Sequence, residues 1–467
     1  MSSDADQALS VAAALSPGQG LAADESGGDK RKRGNRGQTG KERREHAKRK
    51  YDERRREGDA RGRVARDEGE GEGGEQRLPK RRVALLIGFC GTGYQGMQVN
   101  PGARTIESDL FQALCKAGAV SEDNATDQSK VQLQRAARTD KGVHAAGQVV
   151  SLKMIIEDPD VVAKINAHLP AQIRAWGFVR TVRSFNAKTM CDSRIYEYLL
   201  PTYVFMEPSQ QCQEIAQTVD LGEREVPVST PEEMEQKRAY RMSATMLQFV
   251  RDALAKYKGT HDFRNFTVTK GCTENNSKRH MFWFEAAEPM VVQGGEWLSI
   301  KVKGQSFMLH QIRKMVGLII LMARSGAPLS LMDCLFGGPL VNVPKAPGLG
   351  LLLEQPVFDG YNQRTENQAT TSSGMVKFDP YTAEIDAFKQ EFIYDNIVKT
   401  EMAECTFDSW VKNIEVFPEQ FTYINKDGVI PESAIIVPGQ SMFHPRDAAR
   451  AAAAAESSED ERDTEDC

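Results

Sequence analysis

Hydrophobic and polar positions divide this chain into a patterned middle and two unpatterned ends. From Val83 to Phe89 the residues run apolar without interruption, at the length of a strand buried on both faces. Thr105 then precedes Ile106, Leu110 and Leu114, a stripe spaced i, i+4, i+8 that predicts a capped amphipathic helix. Val131 and Leu133 alternate with Gln132 and Gln134, which predicts a half-buried strand over Val131–Ala136. Further strands are predicted at Gly147–Met154 and Arg194–Leu200, the second with Tyr196 and Tyr198 on one face. After a polar, proline-bearing stretch the pattern resumes with a helix around Ala244–Tyr257 and strands around Met281–Phe284 and Leu298–Val302. A long amphipathic helix is predicted from Phe307 to Arg324, its apolar face formed by Met308, Ile312, Met315 and Ile319. Arg313 lies on the border of that face, where an arginine either snorkels or pairs with a partly buried carboxylate. Strand runs outnumber what strict strand–helix–strand alternation supplies, so the predicted class is α+β with two comparable halves.

The ends are different in kind. Residues 1–81 read as a disordered charged arm, nearly free of aromatics and without the apolar surface to offset ordering entropy. The body then divides at 82–206, a polar insertion or linker at 207–240, a second half at 241–365, and a mostly helical extension at 366–442. Residues 443–467 read as an acidic disordered tail.

Charge sharpens this picture. The 467 residues sum to a formal −5, yet residues 30–66 alone carry 17 Lys or Arg against six acids. The clusters Lys30–Arg33, Lys48–Lys50 and Arg54–Arg56 suit nuclear import or loose phosphate contact, against the plainer reading of a solvated charged arm. A mitochondrial presequence fits less well, because Asp4 and Asp6 sit where such peptides avoid acids. Any nucleic-acid surface on the body must be a local patch. No apolar run approaches the roughly 18 residues of a membrane helix. Eight cysteines occur with no C-x-x-C pair, so neither a disulfide framework nor a zinc knuckle is written here, and a reducing compartment fits best.

Three segments carry candidate chemistry. Gly91-Thr-Gly93-Tyr-Gln-Gly96 matches G-x-G-x-x-G after a strand. A dinucleotide fingerprint would open a helix at once, whereas this helix waits until Thr105, so a loop that lets backbone approach another ligand fits better. Arg138-Thr-Asp140-Lys141-Gly142-Val-His144 lies between two strands. It reads plainly as an Asp-x-Gly turn. It also places Asp140 at a strand end beside two cations, where a carboxylate kept ionised can act as nucleophile or base. His310 reads as a packed helix residue, since no second His or Cys follows at i+3 or i+4 to share a metal. Gly259–Phe266 reads as a structural corner with aromatic plugs, and Ala346–Leu351 as a turn into a strand.

Taken together and in order, six segments resemble the TruA family of tRNA pseudouridine synthases, and within it the eukaryotic multisite branch. They are Gly91–Gln98, Ala137–Leu152, Phe185-Asn-Ala-Lys188 with Arg194-Ile-Tyr-Glu-Tyr198, Gly259–Phe266, Lys303–Gly317 and Pro344–Gly350. The likeness spans about residues 82–365, with a weaker echo near 387–412. His144 departs from many branch members, which carry serine there.

The resemblance implies two ferredoxin-like halves about a pseudo-two-fold axis, with a basic cleft between them. It implies that Asp140 is the catalytic aspartate, that Tyr196 stacks on the target uracil and relays a proton, and that Arg313 pairs with Asp140. Arg138 is implied to help displace the target base. Lys141, Gly142, Tyr94, Gln98, Phe307, Lys303 and Lys314 are the expected substrate contacts, with Lys301, Arg264 and Lys270 as further phosphate ligands. The implied reaction isomerises uridine to pseudouridine in tRNA, at uridines of the anticodon stem, with the base flipped from its stack. It needs no cofactor and no metal. Messenger and small nuclear RNA are further possible partners, and the nucleus is the expected location, with mitochondrion and cytoplasm as alternatives. Two other classes compete with this reading. A tRNA-binding or chaperone-like protein of the same fold would not need Asp140 and its partners, and a zinc deaminase would need H-x-E and P-C-x-x-C, neither of which occurs.

Overall fold

The computed structural model describes residues 78–268, 274–367 and 373–436. Nearly all of the charged arm, with its basic clusters, lies outside the described residues, as do the acidic tail and Lys270.

The described elements, in chain order, are β1 (Lys80–Phe89), α1 (Ile106–Lys116), β2 (Gln134–Arg135), β3 (His144–Ile155), α2 (Val161–His168), β4 (Ile173–Arg180) and β5 (Ser193–Pro201). Then come α3 (Gln210–Thr218), α4 (Pro231–Ala239), α5 (Ala244–Lys256), β6 (Gly259–Asp262), the single turn α6 (Glu274–Ser277), β7 (Lys278–Ala286), β8 (Met290–Val292) and β9 (Gly295–Gly304). The chain continues with α7 (Gln311–Ser325), α8 (Ser330–Leu335), β10 (Leu351–Val357), α9 (Asp359–Asn367), α10 (Thr382–Phe388), α11 (Asp395–Glu404) and α12 (Thr406–Val416).

All of the strands join one mixed sheet, in the order β4-β1-β3-β10-β5-β9-β7-β6, with β2 beside β3 and β8 beside β9. Pairing is antiparallel except where β10 meets β3, in a parallel junction of Leu352 with His144 and Leu353 with Ala145. The sheet is buried on both sides, which explains the uninterrupted apolar run of β1. Val83, Leu85, Ile87 and Phe89 enter the larger core with residues of α1, α2, α5 and α7. Ala84 and Leu86 enter a second core with Tyr361, Phe388, Ile393 and Ile397. The polar-looking C-terminal extension thus covers the rear face of the sheet.

Local chemistry accounts for the elements that matter. Thr105 and Ser108 form a reciprocal capping box at the start of α1. Within 207–240, Pro231 opens α4 behind a capping box of Thr230 and Glu233. Arg224 donates to the carbonyls of Ala216 and Val416, and Lys237 pairs with Asp408, so this polar stretch packs on α12.

Two expected elements differ. The strand predicted at Val131–Ala136 shrinks to β2, because Gln132 takes φ +56° after a short 3-10 turn. The helix predicted from Phe307 starts at Gln311. His310 adopts φ +61°, and the Met308 N–H donates to the Gln311 side chain at 2.9 Å instead of entering the helix.

Candidate active site

Asp140 projects from the loop between β2 and β3, and two glycines explain how the loop is held. A Cβ on Gly91 would lie 2.2 Å from the Val143 carbonyl oxygen. Gly96 has φ +102°, and a Cβ there would lie 2.8 Å from the Thr139 oxygen. The Met97 N–H donates to that Thr139 oxygen at 3.2 Å, and the Gly142 N–H donates to the Tyr94 carbonyl at 3.3 Å. The G-x-G-x-x-G segment therefore serves the Asp140 turn by backbone-to-backbone contact. Within the turn the Val143 N–H donates to the Asp140 carbonyl at 3.2 Å, and Gly142 takes φ +74°. The side chain of Asp140 remains 52% exposed.

It opens on a cavity of about 360 Å³ lined also by Arg138, Tyr196, Phe307, His310 and Arg313. Tyr196, on β5, is buried and packs edge-on against Phe307, with ring centroids 5.2 Å apart. Burial, with smaller contributions from Cys191 and Asp140 and against Arg194, pushes its phenol up to about 12. The hydroxyl is thus neutral near physiological pH and able to relay a proton. Arg313 lies in the first turn of α7. Its Nε donates to the Ala346 carbonyl at 2.7 Å, and the guanidinium rests against Gly348. Burial lowers its pKa, with Tyr198 and Asp140 acting the other way.

The expected contact between Arg313 and Asp140 is not made. Although both line the cavity, the Ala346–Gly348 loop holds the guanidinium, and no nitrogen of it lies within ion-pair reach of Asp140. The polar group nearest to the carboxylate is instead His310, expected from the sequence to be a packed helix residue. His310 Nδ1 lies 3.8 Å from Asp140 Oδ2 and is buried without a hydrogen-bond partner. Burial first, then Lys345 and Arg313, lowers the His310 pKa against the pull of Asp140. Only its left-handed backbone turns this ring into the cavity, and helical periodicity carries no sign of that.

The other expected contacts divide. Arg138, Lys141 and Gln98 are exposed near the turn, and Phe307 walls the cavity. Lys303 pairs with Asp359 at 3.7 Å and lies over the Phe282 ring. Tyr94 is buried and donates its hydroxyl to Asp109 at 2.6 Å, so its side chain braces α1 and not a substrate. Lys314 is buried as well. Its ammonium donates to the carbonyls of Asn265 and Thr267, and burial pulls its pKa down to about 8, so its position does not support a phosphate contact. Lys301 is tied to Glu354, and Arg264 to Asp262. Among the described residues, no group of three His, Cys, Asp or Glu is gathered to hold a metal ion.

His144 is fully buried behind the turn. Its Nδ1 accepts from the Gly91 N–H at 3.1 Å, and burial pulls its pKa down to about 4. It is a neutral strut for the loop.

Known proteins match the sequence of this chain. A family model described as tRNA pseudouridine synthase matches residues 253–359. A relative from Yarrowia lipolytica named tRNA pseudouridine synthase 1 is 41% identical over 391 residues, covering 71% of this chain and 74% of its own. The Kluyveromyces lactis protein of the same name is 42% identical, covering 71% and 69%. A mouse protein named pseudouridylate synthase 1 homolog is 44% identical over 339 residues, covering 72% and 74%. Identity of this depth over more than two thirds of each chain means that this protein belongs to the TruA family of tRNA pseudouridine synthases.

Proposed function

We propose that this protein isomerises uridine to pseudouridine in tRNA, with Asp140 as nucleophile. The observation that carries the reading is the approach of one exposed carboxylate and one buried, neutral phenol to the same cavity. The reaction breaks the N1–C1′ bond, turns the uracil and joins C5 to C1′. C5 loses a proton and N1 gains one, so there is no net redox change. Asp140 forms the transient covalent bond, at C1′ or C6. Tyr196 stacks on the uracil, and its hydroxyl moves the C5 proton. Arg313 and His310 supply positive and polar groups near the carboxylate. Arg138, exposed at the mouth, takes the place of the displaced base.

The same reading extends to the architecture. Two ferredoxin-like halves would be built on β1, β3 and β4 with α1 and α2, and on β6, β7 and β9 with α5 and α7. In support, all four helices contribute to one core on the same side of the sheet. Anticodon-stem uridines are the proposed targets, structured mRNA and small nuclear RNA are further substrates, and the basic clusters of residues 30–56 direct the protein to the nucleus.

The test is incubation with unmodified tRNA transcripts, followed by mapping of pseudouridine at single-nucleotide resolution. Pseudouridine with the wild type and none with Asp140→Asn is expected. Formation by both proteins would remove Asp140 from its role, and formation by neither would count against the activity itself.

A further inference from the structure

Two of the conspicuous sequence segments contain cations that the chemistry above leaves unused: Lys188 of Phe185-Asn-Ala-Lys188, and Arg194 just before Tyr196. The fold brings both to a second cavity of about 300 Å³, together with Arg135 and Arg138. Arg138, Tyr196 and Phe307 line this cavity and the Asp140 cavity alike. The two spaces therefore adjoin across an aromatic wall.

The four cations are held ready in different ways. Arg194 is fixed by backbone: its Nε and Nη2 donate to the Ala136 carbonyl at 3.3 and 2.8 Å, and its Nη1 donates to Gln305 at 3.2 Å. Among the described residues no carboxylate lies within ion-pair distance of it, and a guanidinium with five N–H groups retains spare donors. Arg135 pairs through Nε with Glu107 at 3.1 Å, while its Nη1 is buried with no hydrogen-bond partner. A buried donor left unpaired is costly unless a ligand completes it. Lys188 follows an Asn186 turn, in which the Asn186 side chain accepts the Lys188 N–H at 2.9 Å, and its ammonium stands exposed. Arg138 is exposed likewise. Among the described residues Glu107 is the carboxylate paired within this group, so the second cavity keeps an excess of positive charge in a chain of net −5. Gathering like charges without a counter-charge opposes folding, and an anionic occupant relieves that opposition.

The Asp140 cavity takes the flipped base. The second cavity adjoins it across the Tyr196–Phe307 wall, so a linkage beside the flipped nucleotide lies within reach of these cations. We propose that the second cavity is a binding subsite for the phosphodiester flanking the target uridine, held by Lys188 with Arg135 and Arg194 as fixed guanidinium partners. The inference rests on the assignment of the Asp140 cavity to the uridine.

The experiment pairs a protein charge with an RNA charge. Full-length tRNA carrying a single neutral methylphosphonate, placed in turn at each linkage around the target uridine, is titrated with wild type and with Lys188→Ala. Lys188 is exposed, so Lys188→Ala should melt as the wild type does. On unmodified tRNA, Lys188→Ala is expected to bind about three- to tenfold more weakly, with the slope of log affinity against log salt reduced by about one. One linkage beside the uridine, once neutral, should cost the wild type a similar factor and cost Lys188→Ala almost nothing. Wild-type affinity and slope in Lys188→Ala, or equal losses in both proteins at every linkage, would overturn the subsite. Pseudouridine formation by the wild type, read in the same samples, tests the uridine site independently. Its absence would count against that site, while the charge coupling at Lys188 would be judged on its own.

Discussion

The carboxylate of Asp140 and the hydroxyl of Tyr196 have few ties inside the protein, and that makes both open to clean substitution. Asp140 is half exposed on a turn held by backbone, so Asp140→Asn should fold normally and keep tRNA affinity within a few-fold, because phosphate contacts dominate binding. Isomerisation should fall below a few per cent of wild type in a single-turnover assay. The Tyr196 ring packs against Phe307, while among the described residues its hydroxyl has no hydrogen-bond partner. Tyr196→Phe should therefore melt at the wild-type temperature and bind tRNA normally. Its single-turnover rate should fall about 10²–10⁴-fold if the hydroxyl relays the proton. A near wild-type rate would leave Tyr196 as a stacking ring alone. The turn that bears Asp140 and the strand that bears Tyr196 are local patterns and could be read from the sequence, whereas the roles of Tyr196 and Arg138 came from the family resemblance. The place of His310 could not be read, since its entry into the cavity depends on one positive φ. Lys314 misled for the opposite reason: a helical wheel sets it beside Arg313 but does not show the Asn265 and Thr267 carbonyls that enclose it.

Short contacts between elements set how the site is supported. Gly96→Ala would force a Cβ into a position of φ +102° only 2.8 Å from the Thr139 oxygen, next to Asp140. A loss of about 1–3 kcal/mol in stability is expected, with a larger fall in turnover than in tRNA affinity as the turn shifts. Thermal melting and single-turnover rates read the two effects. At the rear, α11 is anchored by Glu401, which accepts from the Tyr203 hydroxyl and, at 2.9 Å, from the Phe407 N–H. Burial raises this carboxyl to about 7. Between its unfolded value near 4.5 and 7, the folded state holds a proton that the unfolded state has lost. The stability from Glu401 is thus complete below pH 4.5 and is lost as pH rises through 7, to the extent of roughly 3 kcal/mol. Glu401→Gln mimics the protonated form and should flatten this decline between pH 5 and 8 in denaturant titrations. Long periodic elements such as β1, α1 and α5 were readable from the sequence. Between Val131 and Ala136 the same alternation misled, because Val131 and Leu133 are both buried without a ladder. A left-handed Gln132 breaks the strand that their spacing suggests.

At the scale of the molecule, apolar patterning gave the class of fold but not the sheet order, since nothing local in Leu351–Val357 says that it lies between β3 and β5. Nor did the polar character of residues 360–440 show that Tyr361, Phe388, Ile393 and Ile397 cover the rear of the sheet. Charge distribution, by contrast, is legible directly. Residues 30–66 hold a local +11, and deletion of residues 1–77 should flatten the salt dependence of tRNA affinity. The single-turnover rate at saturating protein should be unchanged, because the cavity residues all lie in the body. The place of β10 has a consequence in time. The Asp140 turn feeds β3, Tyr196 stands on β5, and β10 is the strand between them. Made at about 5–20 residues per second, a nascent chain waits on the order of 10–40 s between emergence of β3 and emergence of β10. Through that interval the sheet lacks the strand that joins β3 to β5, and the two sides are held by side-chain ties such as that of Arg194 to the Ala136 carbonyl. A polypeptide still tethered to its ribosome therefore holds the parts of the site before the strand that completes the sheet between them has arrived.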